Sequence, residues 1–495
     1  MYQVYKRQDT FRLHWQSDYS IVSMKPMKVG GEKGIAIMQG NLRETSAEHR
    51  VGEQMGTKLE LLTLRARENP KCKFTSLAHL LTEDFLKECF WELKRDKASG
   101  IDGVKAEEYE VVLEENLKDL VARLKAKKYK PQPVRRAYIP KSDGSKRGLG
   151  IPTVEDKVVQ MGIKKILEAI FEVDFMDVSY GFRPNRSSHD ALNALDKTIM
   201  TKTVNYVVDM DIEKFFDTID HKWLMRCLEE RIKDRSLLRL IVRFLKSGVM
   251  EEGKLIETGM GTPQGGVLSP ILANIYLHYA LDLWFERVVK KQTKGFCQLN
   301  RYADDFIVCF QGKEEAEAFG EMLKQRLNKF GLRIAENKSR IIEFGRKVWQ
   351  KAQEEGKKMA TFDFLGFTHY CGKTRRGKFK LGRKTARKRF REKLKAINRW
   401  MKEIRNQVEL KEWWEVLRVK LLGHYRYYGI SGNMGELRNF YIQTSKLAYK
   451  WINRRGQKKS FTYERYCRFK KYNPLPEPKI YHLTYTLSTL PSSSY

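Results

Sequence analysis

The sequence predicts a mixed body of helices and strands, α/β or α+β, assembled from two to four packed units. Three observations predict it. The chain has 495 residues, more than one compact domain usually holds. Hydrophobic residues make up 41% of it, enough to fill real cores rather than leave a disordered chain. Short apolar runs of strand type alternate with stretches of helical periodicity along most of its length.

Residues 1 to about 50 carry Gly30, Gly31, Gly34 and Gly40 and show little periodicity; they read as an extension that is a disordered leader, an extra RNA contact or translation from an over-early start codon. Helical patterning begins at Lys58 with Leu59, Leu61, Leu62 and Leu64 and resumes with Phe85, Leu86, Phe90 and Trp91. A glycine turn, Ala98 to Val104, leads into helix up to about Lys128. Val134 to Ile139 reads as a strand, and Lys141 to Arg147 as a charged hairpin turn. Val154 to Phe171 is expected as helix, Tyr206 to Met210 as a buried strand, and His221 to Val249 as helix. Two strands flank Tyr302-Ala-Asp-Asp305, the second being Phe306 to Phe310.

Past residue 371 the character changes. Between Cys371 and Trp400 stand 14 Lys or Arg and one acid, Glu392. Phe390, Leu394, Ile397, Met401 and Ile404 recur at helical spacing, so the stretch is read as an amphipathic helix with a basic outer face. Aromatics and bases then interleave to about Arg465, and a loose Pro- and Ser-rich tail is expected from Tyr472.

Charge narrows the function. Lys and Arg total 95 against 61 Asp and Glu, a net +34, and self-repulsion of that size points to a polyanionic partner. The seven cysteines form no C-x-x-C pair, which argues against a zinc ribbon or a disulfide framework and for a reducing cytosol. The start, Met1 to Lys6, lacks an apolar signal core, and the least charged stretch, Gly259 to Leu281, is interrupted by Pro263, Pro270, Asn274 and His278. A cytoplasmic protein with no membrane segment is expected.

Nucleotidyl transfer gathers carboxylates from separate parts of a chain around two divalent ions about 4 Å apart. Val207-Val-Asp-Met-Asp-Ile212 and Tyr302-Ala-Asp-Asp305 are two such sources. Five residues after Asp211 stands Phe216, a ring able to lie beneath an incoming sugar and clash with a 2′-hydroxyl. Gly261 to Pro270 is a glycine-rich turn in which Gln264 offers an amide to a sugar or base edge. Lys141 and Arg147 put two cations on one short hairpin, a pair suited to a triphosphate.

Several blocks in this order resemble the reverse transcriptases encoded by bacterial group II introns, the intron maturases. They are Ser99-Gly-Ile-Asp-Gly103, Ile139-Pro-Lys141 with Arg147-Gly-Leu-Gly-Ile-Pro152, Tyr180-Gly-Phe-Arg-Pro184, Asp211 with Phe216, the Gln264 block, Tyr302 to Asp305, Asn337-Lys-Ser339, Leu365-Gly-Phe367 and Gly423 to Gly429. The likeness spans about Lys58 to Lys471. It implies an α+β right-hand polymerase: fingers over 57–185, palm over 186–370, and a helical thumb or X domain over 371–471. Flanking these would be an extension over 1–56 and a tail over 472–495.

The resemblance carries over Asp211, Asp304 and Asp305 as the catalytic triad binding two Mg2+ ions, Phe216 as the sugar gate, and Gln264, Lys141 and Arg147 as dNTP contacts. Leu365, Gly366 and Phe367 become the primer grip. Asp209 is a rival to Asp211, but five residues on from it stands Lys214, which cannot gate. Adjacent strand residues face opposite sides, so Asp304 is expected to be a more direct ligand than Asp305. Implied partners are group II intron RNA, an RNA template, a DNA primer or target, and dNTPs. Only about 25 residues follow Lys470, with no C-x-x-C, so a form lacking the family's endonuclease is expected. The alternative reading is a domesticated relative in phage defence or DNA repair.

Overall fold

The computed structural model describes residues 44–140, 146–257, 259–263, 265–456 and 461–484. Lys141 and Gln264 lie outside the described residues, as do most of the 1–56 extension and the end of the tail. A helix, Glu44–Glu68, runs across the boundary expected at residue 57.

Eleven strands are described. In chain order they are β1 (Val134–Pro140), β2 (Lys146–Ile151), β3 (Tyr206–Asp211), β4 (Val249–Glu251), β5 (Lys254–Ile256), β6 (Cys297–Tyr302), β7 (Asp305–Phe310), β8 (Arg340–Glu343), β9 (Phe362–Phe364), β10 (Phe367–Lys373) and β11 (Phe379–Thr385). They form three sheets, ordered β2-β1-β4-β5, β6-β7-β3-β8 and β11-β10-β9. In the first, β1 pairs antiparallel with β2 but parallel with β4, Val134 opposite Val249.

The middle sheet is antiparallel throughout and separates two cores. Val208, Met210, Phe306, Val308 and Phe310 face the core built with the helices of the first half, among them Val154–Phe171. Val207, Ile307 and Cys309 face the other, shared with the C-terminal helices. Because both faces are covered, Val207-Val208 and Phe306 to Phe310 read as unbroken apolar runs rather than alternating ones.

The structure corrects several sequence expectations. His221 to Val249 is two helices, His221–Glu229 and Arg235–Leu245, because Asp234 caps the second, accepting from Ser236 and Leu237 N–H groups. Cys371 to Thr385 is a β-hairpin, not helix. Buried Phe379, Leu381, Arg383 and Thr385 recur at every second residue, the period of a strand, and Thr374 to Gly377 makes the turn. The boundary expected at 370/371 therefore falls inside β10, and the basic helix proper is Arg387–Ile404. One of its counted charges, Arg383, is buried against Asp196 at 2.8 Å and faces no solvent.

The helices Arg387–Ile404, Leu410–Tyr428 and Met434–Ile452 pack through Trp400 on Trp413 and through His424, which stacks on Phe440 at 3.6 Å. His424 and Tyr425 are buried, as packing residues should be. The tail is not loose over its described part. Leu475 is buried, Trp414 donates to the Asn473 carbonyl at 3.0 Å, and the Tyr481 and His482 N–H groups donate to the Gly429 carbonyl. The His482 ring lies on His189 with centroids 3.5 Å apart, fastening the tail to the helix Ser188–Thr201.

Candidate active site

The antiparallel register places Asp211, at the end of β3, opposite Asp305, at the start of β7. Tyr302 pairs with the same residue from β6, so Ala303 and Asp304 form the tight turn between β6 and β7. Ala303 takes a left-handed φ of 57°, which turns the chain at once and sets Asp304 in the turn at the sheet's end.

These carboxylates repel one another. Asp304 is half-buried, and its carboxyl is pushed up by burial and by Asp211, with Arg147 and Arg301 opposing. Asp305 is exposed, more so than Asp304, while protein mass crowds the remaining sides of its carboxyl. Burial first, then Asp304, Asp209 and Asp211, push it up to about 7, while the Leu365 backbone draws it down. Asp211 is met by the Lys338 ammonium at 2.9 Å, and Asp209 by the Arg340 guanidinium at 3.3 Å.

Among the described residues, no three His, Cys, Asp or Glu side chains stand as a closed metal-holding cluster. Lys338 engages one of the expected ligands, Asp211. The donor set still fits hard divalent ions. It is all oxygen, it is crowded with negative charge, and its own repulsion is relieved when a cation enters.

Phe215 is fully buried and Phe216 half-buried, so the pair divides as expected into one core ring and one ring at the surface of the site. Both lie on a short helix, Phe215–Thr218, begun by Lys214 in the left-handed region at φ 44°. The glycine-rich turn docks on that helix: the Thr262 N–H donates to the Phe216 carbonyl at 2.8 Å, and the Gly261 N–H to that of Ile219 at 2.8 Å. Gly261 has φ 83°, and a Cβ there would sit 2.8 Å from the Asp217 carbonyl oxygen, so only glycine fits. Gly265 and Gly266 continue the turn against Gly150 of β2 and Gln160. Arg147 is exposed on β2, opposite Ile139, and its charge acts on Asp304.

Leu365 and Gly366 form a left-handed pair, φ 49° and 79°, between β9 and β10. Tyr427 donates to the Leu365 carbonyl at 2.9 Å, the Ala386 N–H to that of Gly366 at 3.0 Å, and Phe367 stacks on Tyr427. This bend is thereby fixed between Asp305 and the C-terminal helices.

Sequence reasoning missed the residues beneath the turn. Arg301 and Asp282, both fully buried, form a two-pronged ion pair of 2.7 and 2.5 Å. The second branch of Arg301 donates to the Ala303 carbonyl at 2.9 Å and to Asn274 Oδ1 at 3.2 Å, and Asn274 Nδ2 donates to the Gly181 carbonyl at 2.7 Å. A Cβ on Gly181 would stand 2.3 Å from the Ala303 nitrogen. The available signal was a full charge, Arg301, inside a strand that must be buried. Such a charge needs a partner elsewhere in the chain.

The model of the reverse transcriptase (RNA-dependent DNA polymerase) family matches residues 139–369. The chain is 34% identical over 342 residues to the group II intron-encoded protein LtrA of Lactococcus lactis subsp. cremoris, covering 57% of each chain. It is 32% identical over 335 residues to protein YkfC of Escherichia coli, covering 59% of this chain and 87% of that one. It thus spans little more than half the length of LtrA. A solved telomerase structure from Candida albicans aligns over 72% of this chain and 64% of that one, at 13% identity and a TM-score of 0.40, too loose a likeness to weigh. Proteins of the matched family work with divalent metal ions, and among the described residues no helix is long and apolar enough to cross a membrane. On the strength of the matched segment and of a kinship that takes in 87% of YkfC, the chain belongs to the reverse transcriptases, on their group II intron-encoded branch.

Proposed function

We propose that this chain is an RNA-directed DNA polymerase that binds group II intron RNA as a splicing maturase and copies RNA into DNA in intron mobility, in a bacterial cytoplasm. One observation carries the reading: the strand register sets Asp211 opposite Asp305, with Asp304 in the two-residue turn alongside, where the charge of Arg147 reaches it. The kinship to an intron-encoded protein supports it over a domesticated role.

In this reading residues 57–185 are fingers and 186–370 palm. The thumb's helices begin at Arg387, after the β10–β11 hairpin. Asp211, Asp304 and Asp305 would hold two magnesium ions, which when bound activate the primer 3′-hydroxyl and stabilise the leaving pyrophosphate. The chain's own residues do the rest. Arg147 and Lys141 take the triphosphate charge, Gln264 contacts the incoming nucleotide, and Phe216 excludes a 2′-hydroxyl. Leu365, Gly366 and Phe367 present the primer end on a bend fixed from the thumb side.

The test is extension of a DNA primer on an RNA template with magnesium and dNTPs. Extension by the natural protein that is lost in Asp304→Ala supports the reading. No extension by the folded natural protein rejects it. The maturase half fails if the protein binds group II intron RNA no better than an unrelated structured RNA.

A further inference from the structure

We propose that Arg301, with Asn274 as its bracket, is a positioning residue that sets the Asp304 turn and ties it mechanically to the nucleotide-facing block Gly261 to Pro270. The inference rests on the polymerase reading and adds to it a group that touches neither metal nor nucleotide.

The argument starts from the turn. Ala303 holds φ 57°, a conformation strained for a residue with a Cβ and kept only where its surroundings impose it. Two things impose it here. From one side the Arg301 guanidinium donates to the Ala303 carbonyl. From the other, Gly181 closes on the Ala303 nitrogen with no room for a side chain. Arg301 also anchors the segment leading to Gly181 through its own backbone: its N–H donates to the Val178 carbonyl, and its carbonyl accepts from the Tyr180 N–H.

What holds Arg301 lies on one helical run. Asn274 is on the helix Ser269–Leu277, whose first residues end the Gly261 to Pro270 block, and Asp282 is on the widened π-helical turn His278–Asp282 that follows. Residues eight apart on a regular α-helix differ by about 80° in direction. A widened turn rotates less per residue and takes up part of that difference, so both side chains reach one guanidinium. The helix that begins at the nucleotide block is therefore joined, through Asn274, Asp282 and the Arg301 guanidinium, to the turn carrying Asp304. A shift of that helix would move the carboxylate.

The planar fork of Arg is what makes this possible. One edge answers Asp282 and the other answers Ala303 and Asn274, a geometry that lysine cannot reproduce. This separates folding from positioning. Arg301→Ala would leave Asp282 buried without a counter-charge and is expected to fail to fold. Arg301→Lys keeps the charge on Asp282 but gives up the donors to Ala303 and Asn274. Asn274→Ala keeps the ion pair and removes the bracket from Gly181.

The experiment compares the natural protein, Arg301→Lys, Asn274→Ala and Asn274→Gln in two readouts. The first is hydrogen exchange by mass spectrometry over 299–306 and 178–183. The second is single-nucleotide extension, separating dNTP affinity from the maximal rate and titrating magnesium. We expect turn amides to exchange at least about tenfold faster in Arg301→Lys and Asn274→Ala, with the rest of the fold unchanged. The maximal rate should fall about 10- to 100-fold and half-saturating magnesium rise, while dNTP affinity stays within about twofold. Asn274→Gln should recover part of the rate. Unchanged turn exchange overturns the proposal, as does a loss confined to dNTP affinity. If the natural protein extends nothing, the polymerase reading falls, and the exchange readout alone still decides whether Arg301 sets the turn.

Discussion

Asp211 stands directly opposite Asp305 across the β3–β7 pairing, and the backbone of Leu365, in the bend that precedes β10, draws the Asp305 carboxyl down against the burial that raises it. Asp304 stands in the turn between β6 and β7 itself, where Asp211 raises its carboxyl and Arg147 opposes. We therefore expect Asp304→Asn to lower primer extension by about 10³-fold or more, and Asp305→Asn by only about 10- to 100-fold. Single-turnover rates measure both. Equal losses would mean that the two carboxylates play equivalent parts.

Gly261→Ala places a Cβ against two backbone carbonyls at a left-handed φ. It should cost about 1–3 kcal/mol of stability and displace the segment bearing Phe216. Thermal unfolding together with the ratio of dNTP to rNTP incorporation reads both effects. A variant as stable and as selective as the natural protein would remove Gly261 from the gate's support.

Phe216→Ala should admit rNTPs while Phe215→Ala should mainly lower stability, by about 3–5 kcal/mol for a buried ring. Incorporation assays with both nucleotide types distinguish them. Ribonucleotide rejection that survives the loss of Phe216 would place the gate elsewhere.

Much of this was legible in the chain. Val154 to Phe171 was readable to the residue, because Thr153 caps it and apolar residues recur throughout. Asp211, Phe216 and Asp304 stood out because their chemistry is local. The β-hairpin after Cys371 was misread because its basic residues mask a period of two, and only packing of Phe379, Leu381 and Arg383 against the helix Ser188–Thr201 and its neighbours reveals it. Arg301 was passed over for a different reason: its partners Asn274 and Asp282 are distant in sequence, and a widened helical turn has no signature in residue spacing.

The basic helix offers Arg387, Lys388, Arg391, Lys395 and Arg399 to solvent. Neutralising Lys388, Arg391 and Lys395 to Gln should flatten the salt dependence of template–primer binding. The log–log slope should fall by roughly 0.7–0.9 for each phosphate that is no longer neutralised. Binding titrations between low and high salt check this. An unchanged slope would mean that this face meets solvent only.

His424 is held neutral by burial, its ionisation pushed down to about 3. The unfolded chain would bind a proton near pH 6.5, so the stability tied to His424 is full above that pH and is lost as pH falls toward 3. His424→Gln should therefore be less stable than the natural protein at about pH 7.5 and should close that gap by about pH 5, at about 1.4 kcal/mol per pH unit below 6.5. Urea unfolding at the two pH values tests it. A gap of constant size would show an ordinary imidazole.

The parallel pairing of β1 with β4 sets the order in which this protein can be made. When Val134 leaves the ribosome its neighbour Val249 has not been synthesised, and the whole segment bearing Asp211 and Phe216 must emerge in between. The β1–β2 hairpin waits as an open two-stranded ribbon, of a kind that is barely stable alone. Long-range parallel pairing is slow to form, and an unpaired edge invites intermolecular pairing meanwhile. Arg135 and Arg136 stand on β1, the strand that waits, and put positive charge along that open edge until β4 arrives.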